Sequence, residues 1–146
     1  NIAPQMLAAG ALPAIKRLIA AGFDFDLIDA HYYYPDGVAA AILARKLGKP
    51  FVVTGRGTDL NVLPEYPVPR RHILATAEQA GASICVSTAL KDRLMTLGAS
   101  PEKLHVLRNG VDMDRFQPLD RPSSRVNLGL PATGEVLLAV GNLVEL

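Results

Sequence analysis

Five short, mostly apolar runs recur along the chain, and each is followed by glycine or polar residues. They lack the alternation of apolar and polar residues that marks a strand with one face in water. Strands of a parallel sheet are covered on both faces, so they are typically continuous apolar segments. The pattern therefore predicts an α/β fold built on a parallel sheet. The predicted strands are residues 27–30, 51–54, 83–86, 104–107 and 136–140.

Helical segments separate these runs. The first carries Ile15, Leu18 and Ile19 at helical spacing and ends at Gly22. The later ones also end at glycines, which accept the left-handed conformation that closes a helix. We predict a helix capped by Asp36 and ending at Gly48, one over about 70–80 closed by Gly81, one from Ser87 to Gly98, and a single turn at 100–102.

The composition excludes several classes of function. Fifteen Lys and Arg against fourteen Asp and Glu give a formal charge of +1, so no global field attracts nucleic acid or anionic lipid. No apolar run approaches the ~18 residues of a membrane-spanning helix. The only cysteine, Cys85, lies in an apolar run, which predicts a buried, inert thiol and favours the cytosol. His31, His72 and His105 lack metal-ligand spacing, so we predict no metal site.

Changes in composition divide the chain into three parts. Residues 1–118 form the predicted α/β domain. Residues 119–134 are rich in proline, serine and glycine, which predicts an interdomain connector with little regular structure. Residues 135–146 are predicted to open a second domain. Because the first residue is not Met and the last follows a predicted strand, we expect the chain to be a piece of a longer protein.

Polar residues and glycines are concentrated at the carboxyl edge of the predicted sheet. Ligands bind at this edge in open parallel sheets, because helix N-termini and loops converge there. The candidate segments are residues 31–37, 55–59, 87–88 and 108–112.

Three familiar motifs are incomplete at these segments. The dinucleotide fingerprint fails because Leu60 stands where its third glycine belongs, and Pro50 replaces the Ser or Thr of a P-loop. Ser87 follows a strand as a hydrolase nucleophile does, but Cys85 and Ala89 occupy the glycine positions of that motif. Helix capping is the better explanation of Ser87.

Other polar residues at this edge have structural explanations as well. Asn109 and Gly110 form a turn signal, and Asp112 is suited to cap the helical turn that follows. The run from Tyr32 to Tyr34 is open between stacking on a sugar and packing between domains, and packing is favoured.

Arg56 is the residue most suited to bind an anion. It stands between Gly55 and Gly57, which allow close approach of the backbone, and its guanidinium offers paired hydrogen bonds to phosphate or carboxylate. A loop salt bridge to Asp59 is the structural alternative. His31 stays open between contact with a sugar or phosphate and a structural role at its strand end.

Together these motifs resemble the amino-terminal domain of the GT-B glycosyltransferases, specifically the retaining family 4, or group 1. The loop after the first strand is similar to a His-x-x-x-Pro-x-Gly pattern, and the next loop to Thr-x-His-Gly-x-Asp. The longest similarity lies between residues 82 and 118. The matching residues are His31, Pro35, Gly37, Thr54, Gly57, Asp59, Ala82–Ser87, Leu90, Leu97, Gly98, Lys103, Val106, Asn109–Asp112, Phe116, Pro118 and residues 140–143.

The resemblance implies a truncated GT-B amino-terminal domain, Rossmann-like, followed by the opening strand of the donor-binding domain. It also implies the roles of particular residues. The implied acceptor-binding residues are His31, Arg56, Thr58 and Asp59; Gly57, Ser87, Asn109 and Gly110 line the cleft; Gly141 and Asn142 face the donor phosphates. Arg56 stands where the family usually has His, and Asn142 where it often has Arg. An arginine at position 56 can still orient phosphate or an acidic acceptor.

The implied reaction moves a sugar from a nucleotide-diphosphate sugar to an acceptor hydroxyl with retention. The nucleotide sugar is a co-substrate, and no resident cofactor or metal is implied. The main catalytic residues are expected beyond Leu146, so we expect the chain alone to be inactive. The expected partners are the nucleotide sugar and a carbohydrate or lipid-linked acceptor, without nucleic acid. The expected location is the cytoplasm, with the full-length parent able to associate with the inner face of the membrane.

Two other functions fit parts of the pattern. A complete flavodoxin-like binding or regulatory domain explains the α/β alternation, but not an apolar run after a long connector. The chain also lacks the cluster of phosphoacceptor carboxylates of such a domain, because Asp29 stands alone at the end of the first predicted strand. A sugar-nucleotide epimerase related to the GT-B enzymes is a third possible function. It is closer to the transferase hypothesis than the flavodoxin-like domain is.

Overall fold

The computed structural model describes residues 2–141, and its contacts divide the chain into two compact units, Asn1–Asn109 and Gly110–Leu146. The strands of the first unit are β1 (Ile28–His31), β2 (Phe51–Gly55), β3 (Ala82–Cys85) and β4 (Leu104–Val106). Its helices are α1 (Ala3–Ala20), α2 (Val38–Leu47), α3 (Thr58–Asn61), α4 (Pro67–Gln79) and α5 (Thr88–Leu97). Short turns cover Tyr33–Gly37, Leu63–Glu65 and Pro101–Lys103.

The four strands form one parallel sheet in the order β1-β2-β3-β4. Ile28 pairs with Phe51, Val52 with Ala82 and Ser83 with Leu104. Helices connect consecutive strands, as a parallel sheet requires. The α/β class and the parallel sheet predicted from the apolar runs are thus confirmed, and the carboxyl ends of all four strands lie along one edge.

The core lies between this sheet and its helices. Tyr33, Val53, Ile73 and Leu94 are all fully buried there. Gly55, the last residue of β2, is required by close packing: a Cβ at this position would lie 2.5 Å from Cδ1 of Leu60. The core therefore extends to the carboxyl edge of β2, where the candidate site begins.

Most predicted helix ends are confirmed. α2 ends at Gly48, whose φ of 66° is left-handed, and the Ser87 hydroxyl accepts a hydrogen bond from the Leu90 amide at the start of α5. The prediction that Asp36 caps α2 is wrong, because Gly37 already has helical dihedral angles and no side chain caps this end. α4 begins at Pro67 rather than near residue 70, since proline suits the first turn of a helix.

The prediction that residues 119–134 have little regular structure is wrong, because this part of the second unit contains a helix. Helix α6 (Arg121–Asn127) lies within it. The Asp120 carboxylate caps α6, accepting hydrogen bonds from the Ser123 amide at 2.9 Å and the Ser123 hydroxyl at 2.6 Å. The prolines and serines of this segment thus start a helix.

Arg125 organises the chain that follows α6. Its side chain is buried and donates hydrogen bonds to the carbonyl oxygens of Pro131, Thr133 and Gly134. These bonds fold residues 131–134 back onto the helix.

The fifth predicted strand is also wrong for the residues that the structure describes. Residues 136–140 have no regular secondary structure, and the side chains of Leu137 and Leu138 are 98% and 84% exposed. A strand is completed by hydrogen bonds to a neighbouring strand, and none of residues 2–141 pairs with this run. The division into 1–118, 119–134 and 135–146 stays a prediction.

Within residues 2–141, no helix is both long enough and apolar enough to cross a bilayer.

Candidate functional site

The sheet register places the candidate residues of the first unit along one edge. His31 ends β1 and pairs with Thr54, so it lies beside the loop that carries Arg56. Ser87 lies two residues beyond β3, and Asn109 lies three residues beyond β4. The predicted convergence of these loops is therefore present in the fold.

Asp59 ties two of these loops together. One carboxylate oxygen accepts a hydrogen bond from the Tyr33 amide at 2.9 Å, and the other accepts from the Arg56 and Gly57 amides at 3.0 and 2.8 Å. The side chain is fully buried. Asp59 therefore fixes the shape of the loops after β1 and β2, and its contact with an acceptor stays a prediction.

The loop after β2 depends on glycine at position 57. Gly57 has φ of 152° and ψ of −87°, a conformation that side-chain-bearing residues rarely adopt. This sharp turn brings the Arg56 and Gly57 amides to the Asp59 carboxylate. The Arg56 side chain is left exposed at the edge of the sheet.

The Arg56 guanidinium is held by side chains from two other strand ends. One terminal nitrogen lies 2.8 Å from Nδ1 of His31, and the other donates to Oδ1 of Asn109 at 3.3 Å. The described carboxylates form no ion pair with this guanidinium, so the predicted alternative of an Arg56–Asp59 salt bridge is wrong. We call Arg56, His31 and Asn109 the Arg56 cluster.

The cluster determines the tautomer of His31. A guanidinium only donates, so Nδ1 accepts its hydrogen bond and the proton of the neutral ring is on Nε2. Nε2 lies 3.3 Å from a carboxylate oxygen of Asp29. Both ring nitrogens of His31 are thus engaged within the chain, which leaves Arg56 as the group that presents polar hydrogens outward.

The other predicted site residues fall into three groups. Thr58 is exposed at the start of α3, next to the Arg56 loop, and Ser87 is half-buried as the cap of α5. Gly110 and Gly141 belong to the second unit and are exposed. Asn142 lies outside the described residues.

The remaining histidines and cysteine lie away from the Arg56 cluster or are inert. His72 stacks on Tyr34 with 6.2 Å between ring centroids, and His105 is an exposed residue of β4. Cys85 is fully buried, and burial raises the pKa of its thiol to about 11. In the described part of the chain, no group of three His, Cys, Asp or Glu residues is placed to hold a metal ion.

The tyrosines after β1 pack within the first unit. Tyr33 is fully buried and Tyr34 is 6% exposed in its core, so neither is open to stack on a sugar, and their packing is within one unit rather than between domains as predicted. Burial raises the pKa of the Tyr33 phenol well above its usual range, although the nearby Ser83 hydroxyl partly offsets this effect.

The sequence did not indicate how these residues contact one another. From the sequence, Asp29 is an isolated carboxylate and Asp59 a predicted ligand-binding residue. The Thr-x-x-Gly-x-Asp spacing was the available signal, since it places a carboxylate two residues after a glycine turn, where it can accept backbone amides.

Comparison with known proteins decides the family. The model of Glycosyltransferase Family 4 matches residues 4–115. The chain belongs to glycosyltransferase family 4. This membership agrees with the observed parallel sheet, whose fold is that of the GT-B enzymes, and it disfavours a free-standing flavodoxin-like domain.

Several family 4 relatives are similar over most of this chain. A D-inositol 3-phosphate glycosyltransferase of Catenulispora acidiphila is 31% identical over 98% of the chain and 37% of its own length. One of Frankia alni is 34% identical over 84% of the chain and 32% of its own length. A Bacillus subtilis relative named for teichuronic acid biosynthesis is 32% identical over 82% of the chain and 31% of its own length. The chain thus spans about a third of the length of these relatives.

A solved structure has the same fold. Anabaena Alr3699/HepE in complex with UDP superposes with a TM-score of 0.61 at 24% sequence identity. The superposition covers 80% of the present chain and 32% of the Anabaena protein. The same protein is also known in complex with UDP-glucose, with a TM-score of 0.58.

Proposed function

We propose that the chain is part of a longer family 4 glycosyltransferase that transfers a sugar from a nucleotide-diphosphate sugar to an acceptor hydroxyl with retention. Its first unit would bind the acceptor. The observation that carries this proposal is the Arg56 cluster, which projects polar groups from the carboxyl edge of a family 4 fold. The complexes of the Anabaena protein with UDP and UDP-glucose support a nucleotide-sugar donor.

The residues of the first unit have different roles in this proposal. Arg56 and Thr58, both exposed, contact the acceptor, whereas His31 holds Arg56 in place. Gly57, Ser87, Asn109 and Gly110 are the residues proposed to face the donor-binding domain. Asp59 contributes by holding the loops. Gly141 and Asn142 face the donor phosphates.

Catalysis would come from positioning the acceptor hydroxyl and stabilising the departing nucleoside diphosphate. The first unit supplies the positioning. The groups that stabilise the diphosphate belong to the donor-binding domain of the longer protein. The 146-residue chain alone would therefore not transfer sugar. In this proposal the reaction needs no metal and takes place in the cytoplasm, and the full-length protein meets lipid-linked acceptors at the inner face of the membrane.

The test starts from the full-length polypeptide that contains this chain. It is incubated with UDP-, GDP- and ADP-sugars and a panel of carbohydrate and lipid-linked acceptors, and release of nucleoside diphosphate is measured. Proton NMR of the product then gives its anomeric configuration. Acceptor-dependent release with a retained configuration supports the proposal, whereas an inverted product, or no transfer from any donor, contradicts it.

The 146-residue chain is assayed in parallel under the same conditions. We expect no transfer from it. Sugar transfer by this chain alone would contradict the assignment of the diphosphate-stabilising groups to a second domain.

A further inference from the structure

We propose that the acceptor carries an anionic group, a phosphate or a carboxylate, and that Arg56 selects it. This inference rests on the proposed function, since it names the class of acceptor that the carboxyl edge of the first unit would bind. It follows from the way in which the Arg56 guanidinium is held.

The guanidinium is oriented by neutral partners. The imidazole of His31 and the side-chain amide of Asn109 each take one hydrogen bond from it, and neither cancels its positive charge. By contrast, Arg93 forms an ion pair with Glu65, and buried Arg125 is enclosed by backbone carbonyls. Arg56 is thus both oriented and unneutralised.

The nearby carboxylates are already engaged. Asp59 is fully buried and directs both of its oxygens at backbone amides, three in all. The Asp29 carboxylate lies next to the far nitrogen of the His31 ring, so the imidazole stands between it and Arg56. Neither carboxylate occupies the open side of the guanidinium.

Donor capacity remains for a ligand. A guanidinium has five N–H groups, and His31 and Asn109 use two of them. The other three have no partner within residues 2–141. Two N–H groups of a planar guanidinium can bind two oxygens of one phosphate or carboxylate. Because His31 and Asn109 already orient the Arg56 side chain, less conformational entropy is lost when the anion binds.

Successive side-chain contacts hold the Arg56 guanidinium in position. Asp29 lies next to Nε2 of His31, Nδ1 of His31 accepts from Arg56, and Asn109 holds the other terminal nitrogen of Arg56. Three strand ends thereby fix one cation. An anionic acceptor supplies a counter-charge to this cation, and a neutral acceptor of the same shape does not.

The test compares matched acceptors on the full-length polypeptide. Glucose 6-phosphate, glucuronate and glucose differ only in carrying a phosphate, a carboxylate or no charge. Binding is measured by calorimetry with excess UDP present, and transfer is measured by release of nucleoside diphosphate. The two charged compounds distinguish phosphate from carboxylate selectivity.

The variants are Arg56→Gln, Arg56→Lys and the control Arg45→Gln. Arg45 is exposed in the last turn of α2, which leads into the start of β2 and so lies at the opposite edge of the sheet. Its replacement makes the same change in charge without touching the Arg56 cluster.

We expect at least one charged compound to bind about tenfold more tightly than glucose, the size of one charge-assisted hydrogen bond. Arg56→Gln should remove this preference, Arg56→Lys should keep part of it, and Arg45→Gln should leave it unchanged. Equal binding of all three compounds, or equal weakening of all three by Arg56→Gln, overturns the inference.

The two readouts distinguish the inference from the proposed function. Sugar transfer without a charge preference refutes the anionic acceptor and leaves the transferase proposal standing. A charge preference that depends on Arg56, in a protein that transfers no sugar, supports the anion site and contradicts the transferase proposal.

Discussion

Replacing Asp59 by asparagine should destabilise the first unit, because the amide cannot accept the three backbone hydrogen bonds that the carboxylate accepts. One oxygen of Asp59 serves the Arg56 and Gly57 amides, and the other serves the Tyr33 amide. Asparagine keeps one oxygen only. If that oxygen serves the loop after β2, its NH₂ group faces the Tyr33 N–H, and two donors meet in a fully buried site.

The magnitude follows from the groups left unpaired. A buried donor without a partner costs about 1–3 kcal/mol, and the two remaining bonds lose the strengthening that a charged acceptor gives. The desolvation that the missing charge no longer requires offsets part of this loss. We therefore expect the free energy of unfolding to fall by about 3 kcal/mol, which lowers Tm by about 13 °C for a unit of this size.

The assay is urea and thermal unfolding followed by circular dichroism. Asp36→Asn is the matched control, since Asp36 is an exposed carboxylate in the turn next to Tyr33. The control should change the free energy of unfolding by less than about 0.5 kcal/mol. Equal effects of the two substitutions, or an effect of Asp59→Asn within that limit, would refute the role given to Asp59.

Three further substitutions or conditions test other parts of the structure. Gly55→Ala should cost about 1–3 kcal/mol in urea unfolding, because its Cβ would lie 2.5 Å from Leu60 Cδ1 in the core. Arg125→Met should leave three carbonyl groups without their donor, and hydrogen exchange should then show loss of protection in α6; unchanged protection would contradict the assigned role. Because burial raises the pKa of Cys85 from 9.0 to about 11, the unfolded thiol ionises first, so stability should fall as pH rises from about 9 to 11. That part of the pH dependence should be absent from Cys85→Ala, and an identical profile in the variant would refute it.

Strands and helix ends could be predicted because their signals are local. β2 is a run of apolar residues between Pro50 and Gly55, and Gly48 and Gly98 stand where helices need a left-handed residue. Such signals depend on a residue and its immediate neighbours in the chain. Their outcome is therefore nearly independent of the rest of the fold.

The connector and the last apolar run could not be predicted in the same way. Helix α6 depends on the Asp120 cap and on Arg125, whose partners lie six to nine residues further along the chain. The run at 136–140 has the composition of a strand, but a strand also needs a neighbour with which to pair. Composition identifies what a segment is suited to form, and the contacts decide whether it does so.

The role of Asp59 was hidden for a related reason. A carboxylate in a loop rich in glycine and polar residues is typical of a ligand-binding residue, and nothing in the local sequence indicates that it is fully buried. Its burial depends on the Tyr33 amide, 26 residues earlier in the chain. The same contact explains why the loop after β1 and the loop after β2 form one site.

The Asp59 interactions also explain how the loop after β2 can carry an arginine at position 56. Asp59 binds the backbone amides of Arg56 and Gly57, and these N–H groups are the same whichever side chain position 56 carries. The shape of the loop is therefore set by Asp59 and by the unusual dihedral angles of Gly57, not by residue 56. Position 56 is left free to vary in charge and hydrogen-bonding capacity while the backbone stays in place. A loop built in this way keeps its shape with different side chains at position 56, and in this chain it holds an oriented guanidinium, with no carboxylate partner among the described residues, at the edge of the sheet.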